Sequence, residues 1–175
     1  MKALIIIDFQ NDFVTGSLGT PEARTIIPAI KGLIDEAYTE DHVIIYTRDT
    51  HDANYMNTQE GCKLPIPHCL YGSDGWRVVP ECDCKEIPGN LVFHFNKAHF
   101  GYDDWENTEI LKEVEEIIIC GVCTDICVIT NALLLKTYFP ETTIKVIASA
   151  CAGTTPENHA AALQTMKSCQ IEVIE

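Results

Sequence analysis

The sequence predicts an α/β protein, a three-layer, doubly wound sheet of about six mainly parallel strands with helices on both faces. Two observations carry that prediction. Short β-rich apolar runs alternate with helical patterns along all 175 residues. The runs are also near-continuously apolar, as strands buried on both faces of a parallel sheet must be.

Taken in chain order, Lys2–Ile7 is the first strand. Residues 21–38 then carry a helical stripe of Ile26, Ile27, Ile30, Leu33, Ile34 and Ala37. Pro28 falls inside this stripe, and the regular helix is expected to begin near it, where proline is tolerated in a first turn. Residues 42–47 are the second strand and 91–95 the third, with 103–111 a weaker helical stripe after it. The fourth strand is 116–120, followed by a helix over 124–138 that Pro140 ends. The fifth strand is 143–148 and the sixth 171–174. Between them lies a helix over 156–169, with Thr155 as N-cap and Glu157 adding favourable charge to its first turn. Residues 48–90 have no periodicity and are rich in Asp, His, Asn, Gly and Pro. A loop that long in a compact domain is functional or disordered, and this one follows a strand's C-terminal end, where open α/β sheets bind ligands. No repeat, low-complexity tract or linker divides the chain, so residues 1–175 are expected to form a single domain.

Composition narrows the function. Acidic residues outnumber basic ones 26 to 12, for a formal charge of −14. A field of that sign repels phosphate backbones and anionic lipid, so neither nucleic acid nor membrane is an expected partner. No apolar run approaches the ~18 residues a bilayer demands, and Asp8 ends the apolar stretch 3–7 too early for a signal peptide. The expected compartment is the cytoplasm. Nine cysteines, an odd number without a secretory signal, are expected to be thiols. Cys82-x-Cys84 could be half a metal site, but no second pair stands at zinc-ribbon spacing.

Four groups with chemical potential sit at or just after strand ends. Asp8 closes the first apolar run; alone it reads as a helix cap or turn aspartate. Lys97 follows the third strand, and alone it means little. The turn Gly121-Val122-Cys123-Thr124-Asp125-Ile126-Cys127-Val128 opens a helix after the fourth strand. There the helix dipole and free N–H groups can stabilise a thiolate or an oxyanion. The same two cysteines also read as small apolar residues on one helix face, or as a redox pair. In the long loop, Asp49-x-His51 places both side chains on one face of an extended segment, with His68 further along. Two imidazoles and a carboxylate suit a divalent zinc, iron or manganese ion, and Glu60 is a further candidate ligand.

Together, Asp8, Lys97 and the cysteine turn resemble the isochorismatase-like cysteine hydrolases. The addition of Asp49, His51 and His68 makes the chain similar to their nicotinamidase/pyrazinamidase branch. The resemblance covers essentially the whole chain. It implies that Cys127, in the Thr-x-x-Cys-Val position, is the nucleophile, with Asp8 and Lys97 as its catalytic partners. It also implies a cis peptide at Val122–Cys123, an oxyanion hole from the backbone of Cys123 and Cys127, one divalent ion (zinc first, iron or manganese as alternatives) and a homo-oligomer. The implied reaction is hydrolysis of a small carboxamide, nicotinamide first, through a Cys127 thioester. The ion would bind the pyridine nitrogen or supply the hydrolytic water. The alternatives are hydrolysis of another small amide, such as an N-carbamoyl compound or ureide, and a non-catalytic thiol- or metal-binding protein. Two departures bear on the substrate. Leu64-Pro65-Ile66-Pro67 lacks the tryptophan that such enzymes often carry before the second metal histidine, and Ser149-Ala150 replaces an acidic residue common after the fifth strand. Phe13 and Phe100 are then the candidates to sandwich a ring.

Overall fold

The computed structural model describes residues 1–84 and 91–175, so the last part of the long loop, 85–90, lies outside the described residues. Six parallel strands are β1 (Lys2–Ile7), β2 (Val43–Asp49), β3 (Val92–Lys97), β4 (Glu116–Val122), β5 (Thr143–Ala152) and β6 (Glu172–Ile174). They form one sheet in the order β3-β2-β1-β4-β5-β6. In β1 every residue from Ala3 to Ile7 is fully buried. Each such isoleucine contributes roughly 1.5–3 kcal/mol of burial, which is why no polar residue stands between Lys2 and Asp8. The chain runs from β1 outward to β3, then returns to β4 on the other side of β1. The β1/β4 junction is therefore the topological switch point, and a crevice opens outside its C-terminal ends.

The helices are α1 (Asn11–Val14), α2 (Pro21–Thr25), α3 (Ile27–Thr39), α4 (Gln59–Lys63), α5 (Ile129–Tyr138) and α6 (Pro156–Ser168). Right-handed crossovers that leave β1 and β4 in opposite directions place α3 on one face of the sheet and α5 and α6 on the other.

One expectation holds with an addition and two are corrected. The regular helix α3 begins at Ile27, beside Pro28 as expected, and the head of the stripe 21–38 forms the separate short helix α2, because Pro28 has no N–H to donate and its ring crowds the preceding turn. Helix α2 is capped by Thr20, whose Oγ1 accepts from the Ala23 N–H at 3.0 Å. The weak helix 103–111 is instead two 3₁₀ turns, Trp105–Asn107 and Glu109–Glu113. It follows the burial of Trp105, whose indole N–H donates to Asn131 Oδ1 at 2.9 Å. The helix expected from Thr124 opens as a π-turn over Thr124–Val128, and only then becomes α5. Strands β2 to β5 also run beyond their expected ends, so Asp49 and Lys97 are the last residues of their strands and Ser149-Ala150 lie inside β5. Among the described residues no helix is long and apolar enough to cross a membrane.

Candidate active site

Sheet register assembles the site. Asp49 is the cross-strand partner of Lys97, and Ile7, which precedes Asp8, pairs with Gly121 at the end of β4. Gly121 has φ +119°, and a Cβ there would stand 2.1 Å from the Ile7 carbonyl oxygen, so only glycine lets β4 turn this close to β1. Asp8 itself takes a left-handed conformation (φ 47°), which bends the chain out of β1. The bend is held from β2, where the Thr47 hydroxyl donates to Asp8 Oδ1 at 2.7 Å.

Lys97 is the hub. Its Nζ lies 2.6 Å from Asp8 Oδ2, 3.7 Å from Asp49 Oδ1 and 3.7 Å from Cys127 Sγ, and it donates to the His99 carbonyl at 2.9 Å. Asp8, Lys97 and Cys127 are all buried. Burial works to discharge the lysine, but the charges of Asp8, Cys127 and Asp49 outweigh it and hold it firmly as ammonium. Burial raises the proton affinity of Asp8; Lys97 opposes this without cancelling it, and the Asp49 charge adds to it. The Cys127 thiol is pushed up by burial and by Asp8 against the pull of Lys97, so it rests as a thiol beside a base, where the turn alone suggests a thiolate. Cys123 is also pushed up, to about 12, by burial and by the charges of Asp125 and Asp8. Cys123 is the N-cap of the π-turn, and the Val122–Cys123 peptide is cis. The first N–H groups of such a turn have no carbonyl behind them and remain free to hold an oxyanion. Asn131 fixes the turn from α5, donating to the Cys127 carbonyl at 2.8 Å and to the Phe100 carbonyl at 3.1 Å.

The second cluster lies on the other side of Lys97. His51 Nε2 is 2.9 Å and His68 Nε2 3.4 Å from Asp49 Oδ2. The ligand atoms of these three residues lie within 4.8 Å of one another, and among the described residues they are the only such group. Cys82 and Cys84 do not join it. His68 Nδ1 donates to the Ile66 carbonyl at 2.8 Å, which leaves Nε2 with its lone pair toward Asp49. His51 Nε2 is buried and makes no hydrogen bond of good geometry. Ligands of a tetrahedral zinc ion with bonds of about 2.0–2.1 Å stand about 3.4 Å apart. The donor set and spacing therefore fit a divalent ion. Asp49 is held well below the usual carboxylate range: burial opposes this, but the two histidines prevail. For His68, burial lowers the proton affinity, but Asp49 and the Ile66 carbonyl raise it overall. Glu60, in the first turn of α4, comes within 3.8 Å of His51 Nε2 and 4.0 Å of His68 Nε2, an outer position.

A cavity of about 910 Å³ opens beside this cluster, walled by His51, Tyr55, Glu60, Leu64, Phe100 and Ile126 among others. Phe100 lines it, whereas Phe13 packs on His68 at 5.5 Å between ring centroids and is not part of its wall. Tyr55, which packs on both His51 (4.6 Å) and His68 (5.0 Å), was not legible in the sequence. Nor was Gln10, fully buried, whose side chain clamps the Asp49 backbone by accepting from its N–H (2.8 Å) and donating to its carbonyl (2.9 Å). Thr47 left a faint signal, a hydroxyl in an otherwise apolar run two residues before Asp49.

Comparison with known proteins agrees over the full length. The family model described as "Isochorismatase domain" matches residues 2–175. The chain is 28% identical to the nicotinamidase/pyrazinamidase of Mycobacterium tuberculosis, over 99% of this chain and 98% of that one. It superposes on the crystal structure of a nicotinamidase/pyrazinamidase from Bacillus subtilis with a TM-score of 0.86 at 28% identity, covering 99% of each chain. A pyrazinamidase of Pyrococcus horikoshii, in complex with zinc, superposes with a TM-score of 0.83 at 27% identity, over 99% of this chain and 98% of that one.

Proposed function

The chain belongs to the isochorismatase family, and from that premise we propose that it hydrolyses a small carboxamide, nicotinamide to nicotinate and ammonia, through a thioester on Cys127. The observation that carries this reading is the position of the Lys97 ammonium, 2.6 Å from Asp8 and 3.7 Å from Cys127 Sγ. That contact gives the buried base and the buried nucleophile a common counter-ion.

In the proposed mechanism Asp8 takes the Cys127 proton as Sγ attacks the amide carbon, and Lys97 offsets the negative charge that moves between them. The N–H groups of Cys123 and Cys127 receive the oxyanion. When it collapses, Asp8 returns the proton to the departing nitrogen, ammonia leaves, and the acyl group remains on Sγ. Water then adds to the thioester as Asp8 accepts its proton, and when the adduct collapses Asp8 passes that proton to the departing Cys127 sulfur, which restores the thiol and the carboxylate. Asp49, His51 and His68 would hold the divalent ion, with Glu60 beside them, and zinc suits the two nitrogens and one carboxylate best. Bound there, the ion supplies an anchor for a pyridine nitrogen or an activated water.

A second reading within the same chemistry is an N-carbamoyl compound or ureide as substrate. It is favoured by Leu64-Pro65-Ile66-Pro67, which offers no indole to grip a pyridine ring, and by the breadth of the cavity. A panel of small amides with ammonia detection, run with and without chelator, separates the two. Nicotinamide is expected to turn over fastest, with activity lost on chelation and regained with zinc. Faster turnover of a ureide would move the substrate, and no hydrolysis with a reversible Cys123–Cys127 disulfide would remove the enzyme.

A further inference from the structure

Thr124 is the first residue of the turn that carries Cys127. It is fully buried, and its hydroxyl meets a different element, with Oγ1 standing 2.8 Å from Nδ1 of His159 on α6. The next residue, Asp125, is gripped by the same helix end, its carboxylate accepting from the Thr154 N–H (2.8 Å) and from the Thr154 hydroxyl. Gly153 makes this approach feasible, since a Cβ there would stand 2.9 Å from both Asp125 Oδ1 and His159 Cβ. The start of α6 is itself fixed, because Thr155 Oγ1 accepts from the Asn158 N–H at 3.1 Å and the His159 N–H donates to the Thr155 carbonyl at 2.9 Å. Asn131 holds the same turn from α5 through the Cys127 carbonyl. The nucleophile's turn is thus braced from two helices, and the α6 brace acts on side chains.

We infer that His159 is a positioning residue: by holding the Thr124 hydroxyl it sets the turn that aims Cys127 Sγ at Lys97 and Asp8. The inference rests on the reading of Cys127 as nucleophile. Burial keeps the imidazole's proton affinity below its usual value, against the charges of Asp125 and Glu175, so the ring is neutral and Nδ1 can accept from Thr124. The consequence for reactivity is geometric. Lys97 already reaches Sγ at 3.7 Å, the long end of a contact with sulfur. A shift of about 1 Å at a reacting atom can cost on the order of 100-fold in rate. Since Asp125 and Asn131 still hold the turn when His159 is removed, a loss of about 10-fold is expected.

The test uses the full chain with two variants, His159→Leu and His159→Asn; the asparagine Oδ1 reaches the place of the imidazole Nδ1. Two quantities are read: kcat and KM for nicotinamide, and the rate at which iodoacetamide labels the peptide containing Cys127, followed by mass spectrometry. His159→Leu should lower kcat and the labelling rate by about 10-fold with KM within about twofold, and His159→Asn should stay within about threefold of the original in both. If His159→Leu does not fold, Thr124→Val is read in its place with the same expected loss. Unchanged labelling and kcat in a folded His159→Leu would overturn the inference, as would an equal loss in His159→Asn. Because labelling needs no substrate, a protein inert toward nicotinamide whose Cys127 labelling still depends on His159 would overturn the substrate and uphold the positioning role.

Discussion

Asp8, Lys97 and Cys127 sit at or just beyond the C-terminal ends of β1, β3 and β4, brought together by strand register and by the turn that follows β4. His51, Glu60 and His68, by contrast, come from an irregular segment whose described residues form one short helix and two brief 3₁₀ turns. The first group is locked by mutual contacts, namely Thr47 on Asp8, Asp8 on Lys97 and Asn131 behind Cys127. The second is held by a parallel bridge between His51 and Leu70, by Gln10 on the Asp49 backbone, and by ring contacts with Tyr55. The difference teaches that this fold prepares its nucleophile by scaffold and its candidate metal site by cross-linking a loop. The two meet at one contact, Lys97 with Asp49 at 3.7 Å. Changes in the first group should therefore damage chemistry with little change in composition, and changes in the second should alter what is bound while leaving the thiol reactive.

The largest effect in this comparison belongs to Asp8. Asp8→Asn preserves shape but cannot accept the thiol proton, so kcat on nicotinamide should fall by roughly 100-fold or more while bound metal is unchanged. Turnover at the original rate would take Asp8 out of the mechanism. Next comes the metal cluster. Elemental analysis should find about one divalent ion per chain, because such a site holds a single ion. His51→Ala should lose that ion and drop activity by about 10-fold to 100-fold, in the range seen when a metal site is weakened. Its Cys127 should still alkylate within about threefold of the original rate, because the substitution leaves the Lys97–Asp49 contact that joins the two groups in place. A metal-free protein indifferent to His51→Ala, or a Cys127 made unreactive by it, would break the division between the two regions.

A smaller effect is expected at Cys123. It contributes only its backbone to the oxyanion site, so Cys123→Ala should keep activity within about threefold. A dead Cys123→Ala beside an active Cys127→Ala would exchange the roles of the two thiols. The smallest effect lies at the far end of the sheet, away from both groups. Glu116 is little exposed and paired with Lys2 (3.2 Å) and Lys145. Burial works to raise its carboxyl, but hydrogen bonds and charge from the two lysines hold it below the usual value. A carboxyl depressed in the folded state stabilises above its unfolded value of about 4.3 and loses that contribution as pH falls through the folded value. Glu116→Gln should therefore cost about 1 kcal/mol at neutral pH, with the gap closing in urea melts below about pH 4. A gap independent of pH would assign the loss to packing.

The strands and their order of appearance were legible because burial on both faces writes itself as apolar runs, and Asp8, Lys97 and Asp49 stood out because each follows such a run, whereas Cys127 was told from Cys123 only by the family resemblance. Strand ends were not legible, since a polar residue reads as a stop whether or not the backbone continues, and so Lys97 and Asp49 turned out to lie within β3 and β2. The Trp105 segment misled in a different way: one buried indole with an Asn131 partner decided its conformation more than its weak stripe did. Gln10, Asn131 and His159 left no trace, because a single polar side chain has no period and its partner lies 26 to 39 residues away. Contacts of that kind emerge only when the sheet has closed.

The central claim is that Cys127 carries the acyl group in amide hydrolysis, and ammonia release from saturating nicotinamide tests it most directly. Metal-loaded protein should release ammonia continuously, and Cys127→Ala with the same metal content should fall to background. Ammonia released by Cys127→Ala at the original rate would contradict the account.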